Sequence, residues 1–237
     1  LADEVGMGKT AVVTALLISN PREVKPISNA ALALLHYEAY KTPTLVFKAT
    51  IVVVNNTLVK QWADEIGKFA PGLNVHVYYG ERQLKERALR ELRECDVLLT
   101  TPHMISKNNI SDAMLTNMKV HRLVVDEAHM LSDGSSTQSK LGMLRRIKAR
   151  NVWCVSGTPF STSLGQLQKQ AILLGMFESF DGIDKSTTTN ERIVEWLRAR
   201  MIRHTKGMRI GGEVALALPE KDCKTVWLEM SDDERLI

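Results

Sequence analysis

The 237-residue sequence has no apolar run near the roughly 18–20 residues that a membrane-crossing helix needs, so no such span is read in it. No secretory leader is read either, because the first residues already form a motif. Only three cysteines occur, Cys95, Cys154 and Cys223, far apart and without Cys-x-x-Cys spacing. That argues against a disulfide framework or a zinc site and fits a reducing compartment. Aromatic residues are 5% of the chain, too few for base stacking to be the main mode of contact with a nucleic acid. Charge of one sign is scarce as well: 31 basic against 27 acidic residues leave a net +4, which does not by itself indicate nucleic acid. Internal repeats and low-complexity tracts are absent.

What is present is ordinary globular material, 44% hydrophobic and 24% charged, enough for one large core with or without a small appendage. Short apolar runs alternate with helical patterns, as in a parallel sheet covered on both faces. Strands are predicted at Thr50–Val54, Asn74–Tyr79, Val97–Thr101, Arg122–Val125 and Asn151–Ser156. Val59, Trp62, Ile66 and Phe69 repeat at helical spacing after Thr57, the expected N-cap. Leu84, Ala88, Leu92 and Cys95 form a second stripe; Ile193, Trp196, Leu197 and Met201 form a third, opened by Asn190. Such stripes are read as core packing. The segment Asn20–Lys48, with a helix-like patch at Ala30–Tyr40 and then Thr42-Pro43, reads as a connection. After about Thr205 the chain changes character: Gly207, Gly211 and Gly212 precede Leu218-Pro219-Glu220-Lys221 and a strand-like Thr225–Met230. The expected division is 1–205 for one α/β lobe and 206–237 for a linker leading out of it.

The chain opens on Asp3-Glu4-Val5-Gly6-Met7-Gly8-Lys9-Thr10, close to the phosphate-loop pattern of Gly, four residues, then Gly-Lys-Ser/Thr. Asp3 stands at the first Gly position. Backbone N–H groups of such a loop, at a helix N-terminus, cradle phosphate oxygens, so residues 3, 4 and 6–10 are the candidate ATP contacts. Lys9 would reach the β- and γ-phosphates, and Thr10 would place its hydroxyl on magnesium. The following Ala11–Ser19 is apolar, as a buried crossover helix would be. Leu123-Val124-Val125-Asp126-Glu127-Ala128-His129 supplies the counterpart, an apolar strand ending in two carboxylates at the sheet edge where open α/β sheets bind ligands. Asp126 is the candidate magnesium ligand; Glu127 would orient and deprotonate the attacking water.

Val155-Ser156-Gly157-Thr158-Pro159-Phe160 ends the next strand in a small-residue turn suited to sensing the γ-phosphate, and His129 could couple that site to a domain interface. Thr100-Thr101-Pro102 is a hydroxyl-bearing strand end suited to a phosphodiester backbone. His76, His103, His121 and His204 lack metal-ligand spacing and are read as surface or satisfied polar residues. Arg145–Arg150 is a basic cluster, read as a solvated helix face. Arg203 and Lys206 either pair with the acidic loop or touch phosphate.

Taken in order, Leu1–Thr10, Thr50–Phe69, Asp96–Pro102, Asp126–His129 and Ser156–Pro159 resemble the first RecA-like lobe of a Swi/Snf-type ATPase of helicase superfamily two. That family's first motif usually reads Asp-Glu-Met-Gly-Leu-Gly-Lys-Thr; Val5 and Met7 replace its Met and Leu. Gln61-Trp62 and Gly157-Thr158-Pro159 are similar to family motifs, as is the ending from Met201 to Lys221, whereas DEAH-box RNA helicases usually carry Ser-Ala-Thr at the third motif. Asn55 stands where Pro is usual, and Asn56-Thr57 replace a Ser-containing pair. His204-Thr205-Lys206 resembles the branch with DNA-repair and RING-bearing relatives.

The resemblance implies a P-loop NTPase fold using ATP and magnesium. Its implied activity is DNA-stimulated hydrolysis coupled to movement along duplex DNA, in chromatin remodelling or protein displacement. Phosphate-backbone contacts would come from Asn56, Thr57, Thr100 and Thr101, with His129, Gly157 and Thr158 coupling the sites. Nuclear localisation, nucleosomes as partners and a second RecA-like lobe in the same full-length chain are implied too. The strand before Leu1 and the second lobe are expected elsewhere in a longer protein, leaving this piece nearly inactive alone. An RNA-directed DEAH-box-like helicase and a catalytically silent binding scaffold are the alternative readings.

Overall fold

The computed structural model describes residues 1–25, 28, 45–79, 92–106, 118–132, 140–160, 164–176, 190–214 and 222–228. They divide into two compact units, Leu1–His204 and Thr205–Ile237.

Among the described residues the first unit has six strands: β1 (Leu45–Val46), β2 (Thr50–Val53), β3 (Val75–Tyr78), β4 (Val97–Thr100), β5 (Met118–Val125) and β6 (Ala149–Cys154). All pairings are parallel, and β5 lies at the centre, flanked by β6 on one side and by β1 and β2 on the other; β4 and then β3 continue outward from β2. The first two strands are one line of chain interrupted by a bulge. Leu45 faces Met118 and Val46 faces Lys119, but Thr50 faces Arg122, so three residues oppose two. The strand β5 begins four residues before the expected Arg122, because Met118–His121 pair with β1 and β6 where their own polarity gave no signal.

Alternation sorts the strand residues onto two faces. Ile51, Val53, Leu98, Leu123 and Val125 enter one core. Val52, Val54, Leu99 and Val124 enter the other, beneath helices α1 (Lys9–Ser19) and α2 (Val59–Phe69). On the opposite face, α3 (Pro102–Ser106), α4 (Lys140–Leu144) and α5 (Leu164–Leu173) add Met104, Leu144 and Leu173. The helix α6 (Asn190–Arg198) packs Trp196 and Leu197 on Leu167 and Ala171 of α5. The expected α/β lobe, a mostly parallel sheet with helices on both faces, is what forms.

Several local expectations are corrected. Thr57 is not a helix cap: Asn56–Leu58 form a 3-10 turn, and Leu58 precedes α2 with no side-chain cap. Phe69 leaves its stripe, 48% exposed at the helix end. The helix α1 is not buried all round; Val13 and Leu17 face the sheet while Val12 and Ile18 are exposed, since the sheet covers only one side of it. The basic side chains of the Arg145–Arg150 cluster are exposed, but they lie in the turn after α4 and at the start of β6, not on a helix face. Ala30–Tyr40, Leu84 and Ala88, and Leu218–Lys221 lie outside the described residues; Leu92 and Cys95 are buried as expected. None of the three cysteines is in a disulfide, and none of the described helices is long and apolar enough to cross a membrane.

The second unit contains an antiparallel hairpin, β7 (Arg209–Ile210) with β8 (Glu213–Val214). Its two-residue turn, Gly211-Gly212, has positive φ at both positions, the conformation that hairpin twist favours and glycine alone adopts without strain. The strand read at Thr225–Met230 does not form over the described Asp222–Leu228, where Trp227 is 91% exposed. A strand needs a partner for its N–H and C=O groups, and sequence cannot supply one.

Candidate functional site

Leu1–Glu4 extends the sheet beyond β6. The Ser156 N–H donates to the Leu1 carbonyl at 3.0 Å, while the Ala2 and Glu4 N–H groups donate to the Ile202 and His204 carbonyls. From there the chain turns over Val5–Met7 into α1. Gly6 (φ 86°) and Gly8 (φ 74°) both sit in the left-handed region, which a β-carbon would strain. Gly8 is the N-cap residue and provides no side-chain cap, and the first turn of α1 carries no acid. The positive end of that helix is therefore left to a ligand.

Facing it, the C-terminal end of β5 presents Asp126 and Glu127. Together with Gly6, Gly8, Lys9 and Thr10, and with Leu58, Gln61, Trp62 and Glu65 from α2 and the turn before it, they line an open cleft of about 300 Å³. The Lys9 ammonium is curled into its own loop, donating to the Asp3 carbonyl at 3.2 Å and the Glu4 carbonyl at 3.4 Å.

Asp126 is held from two sides. The Trp62 indole N–H donates to one carboxylate oxygen at 2.8 Å, and the Glu127 N–H donates to the other at 2.9 Å. Burial raises the Asp126 pKa above its usual 3.8, with those hydrogen bonds opposing the shift. The native chain thus holds that proton more tightly than the unfolded chain. The group's contribution to stability is complete below 3.8 and is lost as pH rises through the folded value. In denaturant titrations at several pH values, the stability of the parent relative to an Asp126→Asn variant should grow as pH falls from neutral towards 4. A gap that closes on acidification would contradict this.

Glu127 is the only described non-glycine residue with positive φ, 49°. Such a backbone is sparsely populated and costs about 1–3 kcal/mol, which the surrounding structure must impose. Its carboxylate lies 3.2 Å from His129 Nδ1, and the same nitrogen is 2.8 Å from Ser156 Oγ. The Thr158 N–H donates to that Oγ at 3.1 Å. A short relay therefore joins the acid pair to the Gly157-Thr158-Pro159 turn, through His129. Gly157 lies against the opening loop: a β-carbon there would sit 2.7 Å from Val5 Cγ2 and 3.3 Å from Lys9 Nζ. Val5 is 64% exposed and can yield, so Gly157→Ala should cost no more than about 1 kcal/mol of stability. Because Lys9 is crowded as well, nucleotide affinity should fall about tenfold, as for loss of one charge-assisted contact. Thermal unfolding and fluorescent-nucleotide titration check the two effects separately.

Of the residues expected around the phosphates, Gly6, Gly8, Lys9 and Thr10 line the cleft, whereas Asp3, Glu4 and Met7 do not. Asp3 is 2% exposed, and its carboxylate lies 2.8 Å from both the backbone N and the ring Nδ1 of His204. That side chain ties the loop to the end of the unit instead of facing a ligand. Met7 spends its N–H on the Glu4 carbonyl. Arg203 donates to the Ala2 carbonyl at 2.6 Å and the Gly157 carbonyl at 3.4 Å, which settles its place: it clamps the two loops.

Asn56 and Thr57 are exposed on the turn after β2, open to a partner. Thr100 and Thr101 are not. Both are buried, Thr100 donating its hydroxyl to the Tyr78 carbonyl and Thr101 accepting from the Met104 N–H, so they lock the end of β4 and are not placed to touch a phosphodiester. Sequence reading missed Trp62 as the partner of Asp126. The available signal was chemical: a buried indole N–H needs an acceptor.

A glycine loop opening a helix, set against an acid pair at the C-terminal edge of a parallel sheet, is the arrangement of a RecA-like lobe. The SNF2-related domain matches residues 1–237, and the chain belongs to that family. Among known proteins it is 29% identical over 259 residues to the ATP-dependent helicase FUN30 of Saccharomyces cerevisiae, covering 100% of this chain and 21% of that one. It is 26% identical over 206 residues to the mouse helicase-like transcription factor (80% and 20%), and 25% identical over 262 residues to the DNA repair protein RAD5B of Arabidopsis thaliana (99% and 20%). The chain thus spans about a fifth of the length of these relatives. The fold is similar to that of the Sulfolobus solfataricus SWI2/SNF2 ATPase core in complex with dsDNA. That match has a TM-score of 0.57 at 23% identity, over 86% of this chain and 39% of that one.

Proposed function

We propose that this lobe binds ATP with magnesium and hydrolyses it, and that in its full-length protein hydrolysis drives movement along duplex DNA to remodel chromatin or displace bound proteins, including in DNA repair. The observation that carries the reading is the meeting of Lys9 and Thr10 with Asp126 and Glu127 around one cleft of about 300 Å³. The uncapped N-terminus of α1 receives phosphate oxygens, and Lys9 leaves its two loop carbonyls to pair with them. Glu127, held beside His129, orients the attacking water and takes its proton. Among the described residues no three His, Cys, Asp or Glu side chains converge on a point. One carboxylate and one hydroxyl completed by phosphate oxygens is, however, a usual magnesium set, and Asp126 and Thr10 provide it. When bound, the ion neutralises charge on the β- and γ-phosphates.

Family membership supports the ATPase reading, and the names of the relatives support chromatin and repair roles with nuclear localisation. Exposed Asn56 and Thr57 are the proposed DNA-backbone contacts; phosphate contacts of that kind give strong salt dependence and little sequence specificity. Among the described residues Lys9 is the only cation lining the cleft. A second lobe that brings another cation across it is therefore needed for full turnover, and the lobe alone is expected to hydrolyse ATP barely. The test measures ATP turnover by the full-length protein and its Glu127→Gln variant, alone, with duplex DNA and with RNA. Stimulation by duplex DNA that is lost in the variant is the expected result. Stimulation by RNA alone would replace the reading with an RNA-directed helicase, and no turnover under any condition would leave a binding scaffold.

A further inference from the structure

We infer that Arg203 and His204 are positioning residues for the nucleotide: from the end of the first unit they hold the loop on which Lys9 rests, and so set the affinity for ATP. The inference rests on the ATPase reading above and adds to it two residues that do not line the cleft.

Residues 202–204 run beside residues 2–4 as a parallel pair. The Ala2 N–H donates to the Ile202 carbonyl at 2.7 Å and the Glu4 N–H to the His204 carbonyl at 3.0 Å, so both segments advance two residues between bonds. A regular parallel ladder would place the His204 N–H on the Ala2 carbonyl between them. Side chains take both ends of that rung instead. The His204 N–H donates to Asp3 Oδ1 at 2.8 Å, and the Ala2 carbonyl accepts from Arg203 Nη1 at 2.6 Å. A backbone rung would end there, but both substitutes branch. Asp3 Oδ1 also accepts from His204 Nδ1 at 2.8 Å, and Arg203 Nη1 reaches on to the Gly157 carbonyl at 3.4 Å.

Two of these links lead to Lys9. The peptide group between Asp3 and Glu4 is one rigid plane. Its N–H is held by the His204 carbonyl, and its own carbonyl accepts from Lys9 Nζ at 3.2 Å. Gly157 abuts the same ammonium, since a β-carbon there would stand 3.3 Å from Nζ. A tilt of that peptide or a slip of the Gly157 turn therefore displaces Lys9 and the glycine loop with it. Such a displacement weakens phosphate contacts in the ground state and the transition state alike, so it is felt in KM more than in kcat. Asp3 is 2% exposed, and its carboxylate must keep its donors or be rearranged. Arg203 is exposed, so water competes for its donors and its share is smaller.

The test measures KM and kcat for ATP, with saturating duplex DNA, in the full-length protein and three variants, each checked by thermal unfolding. His204→Leu removes the ring donor at similar volume. It should raise KM about tenfold with kcat within about twofold of the parent, as for loss of one charge-assisted hydrogen bond. His204→Asn offers an amide donor where Nδ1 lies and should restore most of the parental KM. Arg203→Met keeps the stem without the donors and should raise KM about threefold. It carries the comparison should His204→Leu not fold, with Arg203→Lys as its conservative partner. A merely structural role would instead reduce the active fraction, lowering kcat at unchanged KM. That pattern, unchanged KM in the folded variants, or a His204→Asn no better than His204→Leu would overturn the inference and leave the ATPase reading standing. No ATP turnover by the parent would overturn both.

Discussion

Replacing Glu127 by Gln is expected to reduce ATP turnover by about 10²–10⁴-fold, the usual contribution of a positioned general base, with nucleotide affinity essentially unchanged. The substitution keeps the shape of the side chain and an oxygen for His129 Nδ1, 3.2 Å away in the native chain. It removes only basicity and charge. The backbone separates this effect from a structural one. At φ 49° any non-glycine residue is strained, so Glu127→Gly should lose turnover as well yet recover about 1 kcal/mol or more of the local strain. Steady-state hydrolysis with saturating duplex DNA, alongside fluorescent-nucleotide titration and denaturant unfolding, checks all three quantities. Parental turnover in Glu127→Gln would remove Glu127 from the chemistry.

Trp62 should show the largest effect on stability. It is 2% exposed in the core beneath α1 and α2, and its indole N–H holds Asp126 at 2.8 Å. Trp62→Ala opens a cavity and removes the indole donor to a partly buried carboxylate oxygen, and is expected to cost about 3–5 kcal/mol. Trp62→Phe retains most of the packing and loses the hydrogen bond, for about 1–3 kcal/mol. The second variant is the more informative. If Trp62 orients Asp126 for magnesium, Trp62→Phe weakens magnesium-dependent nucleotide binding while binding measured in chelator changes little. Equal losses under both conditions would make Trp62 a packing residue only.

The elements most legible in the sequence were those whose signal is local. The apolar runs at β2, β4 and β5 alternate between two cores, so continuous hydrophobicity marked them as strands buried on both faces. Gly6, Gly8 and Lys9 and the acid pair at the end of β5 were readable as one candidate site because positive-φ glycines at a helix start and carboxylates at a strand end are local patterns, and the two meet in one cleft. Thr100 and Thr101 were misread for the complementary reason. A hydroxyl in sequence carries no sign of whether it faces solvent or a neighbouring carbonyl, and both are buried.

The sequence by itself determined the class of the lobe, the order of its strands along the chain and the four residues that meet in the cleft, because each depends on spacing within a few residues. Tertiary structure alone decided the partners. Asp3 is turned away to His204, Trp62 is brought to Asp126, His129 to Ser156, and Arg122 is buried beside Asn20. Each of these pairs spans 27 to 201 residues of sequence. Such contacts exist only once a parallel sheet has brought distant strand ends to a common edge, and no local preference encodes which polar group will be waiting there.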